Sequence, residues 1–213
     1  MVPGMRTRLL TVLLVFGLAL PGLVSAQTAG PRILVLGDSL SAAYNMPAEA
    51  GWVALLADRL GAGAEVVNAA ISGETTAGAR ARLPQALENH APDIVVIALG
   101  GNDGLRGVSL SEVRDNLDAM ITMARDAGAR VVLAGVRLPS NYGSAFIERF
   151  RNVYAEVARD NDVAYVPKIL AGVAEQPSLM QDDGIHPNTR AQPRILDNIW
   201  QALGPMVSGS TTG

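Results

Sequence analysis

The chain has 213 residues, of which 49% are hydrophobic and 17% are charged. This length and composition fit one globular domain and exclude a disordered or fibrous protein. The formal net charge of −3 leaves no basic surplus for binding a nucleic-acid backbone. Cysteine is absent, which excludes a cysteine nucleophile, thiolate metal sites and disulfides. A catalytic or metal-binding imidazole must come from His90 or His186, the two histidines of the sequence.

The first 26 residues have the layout of a cleaved signal peptide. Arg6 and Arg8 precede an apolar run over residues 9–20, and small residues follow a Pro-Gly break. The run is shorter than the ~20 apolar residues that a membrane-spanning helix needs. We therefore predict cleavage after Ala26, a periplasmic or secreted mature protein, and no stable membrane span in the mature chain. An uncleaved membrane anchor is the alternative.

Strand and helix patterns alternate along residues 27–213, which we interpret as a single domain with its core at about 32–205. Short apolar runs predict strands over residues 32–37, 66–68, 93–99, 130–136 and 163–166. Amphipathic spacing predicts helices over residues 52–60, 79–89, 113–124, 146–157 and 195–203. Pro84 is expected in a first turn or at a kink, and Ser109 with Glu112 has the spacing of a capping box. The alternation predicts an α/β domain whose parallel sheet is flanked by helices in three layers.

Turn-forming polar residues follow the first three strands and precede the last helix. These segments are Gly37-Asp38-Ser39-Leu40-Ser41, Asn68 to Thr75, Gly100 to Gly104, and Asp182 to Asn188. Any one of them is ordinary turn chemistry. Sites in parallel sheets lie at the carboxyl ends of the strands, so their joint placement predicts one polar site at that edge.

The residue types in these segments fit a serine esterase. Such an enzyme needs a hydroxyl on a sharp turn, an imidazole base, a carboxylate that orients the base, and donors for the oxyanion. Ser39 directly follows a strand, and His186 lies three residues after Asp183. Gly73 offers a backbone N–H and Asn102 a side-chain amide. The Gly-x-Ser-x-Gly motif of the α/β-hydrolases does not occur around Ser39, which disfavours that fold.

Four blocks of this sequence resemble the GDSL, or SGNH, hydrolase superfamily, and they occur in the order of that family. They are Gly37-Asp38-Ser39-Leu40-Ser41, Gly73, Gly100-Gly101-Asn102-Asp103 and Asp183-Gly184-Ile185-His186-Pro187. The sequence is similar in particular to the bacterial periplasmic multifunctional thioesterase, arylesterase and lysophospholipase group. The resemblance extends from about Arg32 to about Pro205.

The resemblance implies a role for each of five residues. Ser39 is the expected nucleophile, His186 the general base and Asp183 its orienting acid. The Ser39 and Gly73 backbone N–H groups and the Asn102 amide are the expected oxyanion hole. The implied fold is a five-stranded, flavodoxin-like sheet, and no metal or organic cofactor is expected.

Other interpretations of these polar residues stay open on the sequence. Asp182 competes with Asp183 for the place beside the imidazole. Asp38 and Asp103 are better suited to bracing their turns than to acid catalysis, and His90 fits a solvated turn. Residues 100–104 could cradle a phosphate, although they lack dinucleotide-binding spacing and a basic partner.

The expected substrate is an acyl ester or thioester, and the expected oligomeric state is a monomer. Position at the strand ends makes Leu105, Leu138, Pro139 and Tyr142 candidates for an acyl groove. A short-acyl carbohydrate deacetylase on the same scaffold is an alternative, although the low aromatic share of 4% disfavours sugar stacking. A periplasmic acyl-binding protein without turnover is a second alternative.

Overall fold

A computed structural model describes Met1 and residues 30–209. Apart from Met1, the predicted signal peptide lies outside the described residues. Strands and helices alternate along the described chain. In order they are β1 (Arg32–Gly37), α1 (Trp52–Leu60), β2 (Glu65–Asn68), α2 (Thr76–His90), β3 (Ile94–Ala98), α3 (Gly101–Leu105), α4 (Leu110–Asp126), β4 (Arg130–Ala134), α5 (Ser144–Asp160), β5 (Ala164–Val166) and α6 (Gln192–Ser208).

The five strands form one parallel sheet with the order β2-β1-β3-β4-β5. This confirms the predicted α/β class and the flavodoxin-like order that the family resemblance implied. In the centre of the sheet, Gly37 at the end of β1 pairs in register with Ala98 at the end of β3. The segments that follow these two strands therefore leave the sheet side by side.

Helices cover both faces of the sheet. Helix α1 packs against α6, while α2, α4 and α5 pack against one another in that order. Right-handed crossovers produce this division, because the chain first moves from β1 towards one edge and then returns across β1 towards the other. All five residues of β3 are fully buried, as expected for a central strand that is covered on both faces. No helix in residues 30–209 is long and apolar enough to cross a membrane.

Two local features differ from the sequence-based expectation. Pro84 lies in the interior of α2 and not in its first turn, so that of the two positions expected for it a kink is the one that remains. Helix α2 also begins at Thr76, three residues before the predicted start, because its first turn is capped from outside the helix. The Thr75 hydroxyl accepts a hydrogen bond from the Gly78 N–H, and the Asp103 carboxylate accepts one from the Thr76 N–H at 2.9 Å. From the sequence, Asp103 was expected to brace its own turn; in the structure its carboxylate instead holds the first turn of α2.

The short helix α3 was not predicted, because its sequence has the composition of a turn. Gly100 joins β3 to α3 with a φ of +108°, a conformation that glycine adopts without strain. The Tyr154 hydroxyl, which is fully buried, donates a hydrogen bond to the Leu99 carbonyl at 2.8 Å. A Cβ on Gly100 would overlap that hydroxyl. The backbone of Gly100 and the side chain of Tyr154 thus fix where α3 starts.

We expect Gly100→Ala to lower the free energy of unfolding more than Gly128→Ala does. Both glycines have positive φ, which costs an alanine roughly 1–2 kcal/mol. A Cβ on Gly128 meets open space, whereas one on Gly100 also displaces Tyr154, which adds ~1–3 kcal/mol. Urea denaturation of both variants measures the difference. Equal losses of stability would contradict the proposed overlap.

Candidate active site

Ser39 lies on a tight turn immediately after β1. The Asp38 carbonyl accepts the Ser41 N–H at 3.1 Å, and the Asp38 carboxylate accepts the Leu40 N–H at 3.0 Å. The Asn68 side chain, at the end of β2, donates to the Ser41 carbonyl at 2.9 Å. These hydrogen bonds hold the half-buried Ser39 at the carboxyl edge of the sheet. Asp38 therefore braces this turn, as its position in the sequence predicted.

His186 and Asp183 come from one loop between β5 and α6. The His186 Nε2 lies 2.9 Å from the Ser39 Oγ, and the His186 Nδ1 lies 2.6 Å from the Asp183 Oδ2. The other carboxylate oxygen of Asp183 accepts the backbone N–H groups of Ile185 and His186, both at 2.9 Å. Asp182 is exposed and makes no hydrogen bond to the ring. The structure thus brings together the three residues that the sequence nominated.

Asp183 is held in its ionised form. Partial burial by itself would raise the pKa of this carboxyl group. Hydrogen bonds from the backbone N–H and ring of His186 and from the Ile185 N–H outweigh burial and lower the pKa to about 2. A carboxylate that stays charged keeps the Nδ1 proton of the ring in place, so that Nε2 faces Ser39 as an acceptor.

Tyr44 is a contact of the imidazole that sequence reasoning missed. Its ring lies 4.3 Å from the His186 ring, centre to centre, with an angle of 33° between the planes. The Gln181 side chain donates to the Tyr44 carbonyl at 3.0 Å and to the Pro187 carbonyl at 3.1 Å. These contacts tie the histidine loop to the segment after Ser39. Tyr44 could not be identified from the sequence, because a single aromatic residue five positions after Ser39 forms no recognisable motif.

Three groups near Ser39 are potential oxyanion donors. The backbone N–H groups of Ser39 and Gly73 have no hydrogen-bond acceptor within residues 30–209. The Asn102 side-chain amide, on α3, donates to the Glu74 carbonyl at 2.9 Å and lies 3.4 Å from the Asp38 carboxylate. Asn102 therefore joins the Ser39 turn to the Gly73 loop. Its second N–H has only the long contact to Asp38 and remains the freer donor.

The loop that carries Gly73 is held from two further sides. The Arg106 guanidinium donates to the Gly73 carbonyl at 3.0 Å. Glu74, the next residue, forms an ion pair with Arg82 at 2.8 Å. Gly73 itself has a φ of +81°, which suits glycine. The loop is thereby anchored to both α3 and α2.

A cavity of about 100 Å³ opens beside Ser39, and we call it the catalytic cavity. Its lining includes His186 and Asn102 together with apolar side chains from several loops. Two of the four groove candidates, Leu105 and Pro139, line it. Leu138 is 1% exposed and packs against Gly104, so it lies beneath the cavity and not in its wall. Tyr142 does not line the cavity either. Its hydroxyl donates to the Leu105 carbonyl at 3.1 Å and so holds Leu105, which does line it.

The remaining candidate residues lie away from this chemistry or brace it. His90 ends α2, at the opposite edge of the sheet from Ser39, and its carbonyl accepts from Arg32. Asp103 is fully buried and its carboxylate is occupied by the N–H and hydroxyl groups of Thr76. Residues 100–104, the alternative phosphate cradle, form the link to α3 and its first four residues. In the described part of the chain no cluster of three or more His, Asp or Glu side chains could hold a metal ion.

Comparison with known proteins agrees with this geometry. The model of the GDSL-like lipase/acylhydrolase family matches residues 35–192, a range that contains Ser39, Asp183 and His186. The chain belongs to this family.

Individual members of the GDSL-like family are similar over most of their length. The chain is 49% identical to the esterase TesA of Pseudomonas aeruginosa, over 87% of this chain and 94% of that protein. It is 44% identical to thioesterase 1/protease 1/lysophospholipase L1 of Escherichia coli K12, over 84% and 86%. A crystal structure of TesA superposes with a TM-score of 0.80 at 50% identity, covering 82% of this chain and 99% of the other.

Asp38 should make the stability of this GDSL-like protein depend on pH. Burial raises the pKa of Asp38 to about 6, although the Leu40 N–H and the nearby His186 act in the opposite direction. A raised carboxyl pKa stabilises the fold below pH ~4, and this stabilisation is lost as the pH rises through about 6. Asparagine at this position cannot ionise and so does not lose it.

We therefore expect Asp38→Asn to change stability more favourably at pH 7.5 than at pH 4, relative to the native protein, by about 2–3 kcal/mol. Denaturant unfolding of both proteins at the two pH values measures this difference. A difference that is the same at both pH values would show that Asp38 does not titrate in this range.

Proposed function

We propose that this protein hydrolyses carboxylic esters and thioesters through an acyl-enzyme intermediate on Ser39. The observation that carries the proposal is the continuous chain of hydrogen bonds from Ser39 through His186 to Asp183, at 2.9 and 2.6 Å. Membership in the GDSL-like family supports it. Relatives named as an esterase and as a thioesterase and lysophospholipase support both ester and thioester substrates.

In the acylation step, the Ser39 Oγ attacks the acyl carbonyl carbon while the His186 Nε2 accepts the hydroxyl proton. The ionised Asp183 stabilises the imidazolium that forms. His186 then gives the proton to the departing alcohol or thiol, and the acyl group remains on Ser39. The 2.9 Å contact in the free enzyme means that the base is already within reach of the proton.

Negative charge on the carbonyl oxygen is stabilised by the N–H groups of Ser39 and Gly73 and by the Asn102 amide. The two backbone donors have no acceptor within residues 30–209, so neither must break a hydrogen bond first. One such donor contributes about 3 kcal/mol to transition-state stabilisation. In deacylation, His186 activates a water molecule, which releases the acid and restores Ser39.

The apolar walls of the catalytic cavity favour acyl chains longer than acetyl. Leu40, Leu105 and Leu170 line it together with Pro139, and contact with methylene groups removes apolar surface from water. This favours an esterase, thioesterase or lysophospholipase over a carbohydrate deacetylase. The hydrogen-bonded base beside Ser39 favours an enzyme over an acyl-binding protein, since binding alone does not use a base.

We also propose that the enzyme acts outside the cytoplasm as a monomer. The signal-peptide layout of the first 26 residues supports export with cleavage after Ala26. Peptide sequencing of the exported protein tests the cleavage site, and light scattering tests the monomer.

Ser39→Ala should abolish hydrolysis of p-nitrophenyl esters while leaving the fold intact, because it removes the attacking oxygen alone. Ser41→Ala is the matched control. Ser41 is in the same turn, and its buried hydroxyl has no hydrogen-bond partner among the described residues, so activity should remain. The substrates are p-nitrophenyl esters from acetyl to palmitoyl. Native-like turnover in Ser39→Ala would refute the proposal, and activity confined to acetyl would favour the deacetylase.

Asn102→Ala should lower kcat by ~10²–10³ with a smaller effect on KM, because the amide acts mainly on the oxyanion of the transition state. Steady-state kinetics on p-nitrophenyl octanoate measure both constants. Asn89→Ala is the comparison variant and should keep the native kcat, since Asn89 is exposed near the end of α2 and, within residues 30–209, its side chain binds only that of Gln85. An unchanged kcat in Asn102→Ala would exclude this amide from the oxyanion hole.

A further inference from the structure

A second cavity, of about 220 Å³, lies next to the catalytic cavity. Three residues, Val136, Arg137 and Leu170, line both cavities. The two cavities therefore adjoin each other along the segments that follow β4 and β5. We call it the cationic cavity, because of the side chains described next.

The floor of the cationic cavity is apolar and its rim is charged. Leu138 and Phe150, both about 1% exposed, lie at the floor with Ile147. The charged side chains of the rim are Arg137, Arg151, Lys168 and Glu175. Three cations and one acid thus surround an apolar depression, in a chain whose formal net charge is −3.

Most of this positive charge is not neutralised by neighbouring carboxylates. Within residues 30–209, neither Arg151 nor Lys168 has an acidic side chain within 4 Å. Arg137 and Glu175 are 3.7 Å apart, with side chains that are 43% and 60% exposed, and such a pair interacts weakly. The rim therefore attracts anions, while the floor favours hydrocarbon.

We propose that the cationic cavity binds the far end of an acyl chain that ends in a negative charge, such as the second carboxylate of a dicarboxylic monoester. This inference rests on the proposed esterase function and names a substrate class for it. The ester carbonyl lies at Ser39, the methylene groups pass Val136 and Leu170, and the terminal anion reaches Arg151 and Lys168.

The position of His186 indicates that the cationic cavity binds the acyl chain of the substrate and not its leaving group. His186 must protonate the leaving group, so that group departs on the side of the imidazole and of Tyr44, which packs on the ring. Neither His186 nor Tyr44 lines the cationic cavity. The cavity instead adjoins the wall formed by Val136 and Leu170, which suits the acyl portion of the substrate.

The test compares two series of p-nitrophenyl esters that share one leaving group. One series consists of monoesters of dicarboxylic acids from succinate to sebacate, and the other consists of uncharged alkanoates of the same chain lengths. The measured quantity is the ratio of kcat/KM for the charged ester to that for its uncharged partner. Lys168→Gln and Arg151→Gln are the test variants, and Arg149→Gln, an exposed arginine on α5 outside the cavity, is the matched control.

We expect the ratio to be highest at one intermediate chain length in the native enzyme. At that length, each test variant should lower it about three- to tenfold, as for the loss of one charge-assisted contact, and Arg149→Gln should not. Raising the salt concentration to about 0.5 M should also lower the ratio, because salt screens the attraction. A ratio that is equal in all four proteins, or that shows no preferred length, would overturn the proposal.

If the cationic cavity bound the leaving group of the substrate instead of its acyl chain, the variants would give a different result. In that case the test variants would lower kcat/KM for an acyl-CoA relative to the same acyl N-acetylcysteamine thioester, and would not affect the dicarboxylate ratio. That outcome would also overturn the proposal. The proposed esterase function has a separate test, because it requires Ser39→Ala to abolish turnover of the uncharged esters. The result for the dicarboxylic monoesters does not affect that test.

Discussion

The active site depends on the register between the two central strands of the sheet. Gly37 and Ala98 pair at the ends of β1 and β3, so both strands stop at the same height. Ser39 follows one end by two residues, and Asn102 follows the other by four. Because β3 pairs in register with β4 as well as with β1, this register cannot slip without breaking the backbone hydrogen bonds of both strand pairs. The pairing of the strands thus determines the separation of Ser39 and Asn102, the proposed nucleophile and oxyanion donor.

A buried hydrogen-bond network holds the loops of the site in place relative to the ends of these strands. Asp103 accepts from Thr76, and Asn116 donates to the Thr76 hydroxyl at 3.1 Å. The network connects α3, α2 and α4, and all three residues are almost fully buried. Breaking one of its hydrogen bonds would leave another polar group unsatisfied, which is costly in the interior. The loop with Gly73 immediately precedes Thr76, so it is held close to α3.

The sequence was sufficient for the five strands and for the helices other than α3, because these depend on local patterns. Apolar runs predicted all five strands, and the resemblance to the GDSL family selected Asp183 over Asp182 as the partner of His186, which is where the structure places it. Features that depend on long-range packing could not be predicted in this way. Helix α3 has the composition of a turn and forms where Tyr154 meets Gly100. Leu138 has the same apolar character as Leu105, and only the fold shows that Gly104 accommodates it in the core. Tyr44 meets His186 across 142 positions of the chain.

The short spacing between Asp183 and His186 makes the proposed base and its orienting acid a preassembled unit. Both hydrogen bonds that orient the imidazole on the acid side lie within four consecutive residues. The contact to Ser39, by contrast, bridges 147 positions. Displacement of the loop as a rigid body would interrupt the proposed proton transfer from Ser39 yet leave the imidazole correctly oriented. Recovery after such a displacement would require the contacts of the loop with Ser39 and Tyr44 to re-form, whereas the Asp183–His186 pair would stay assembled throughout.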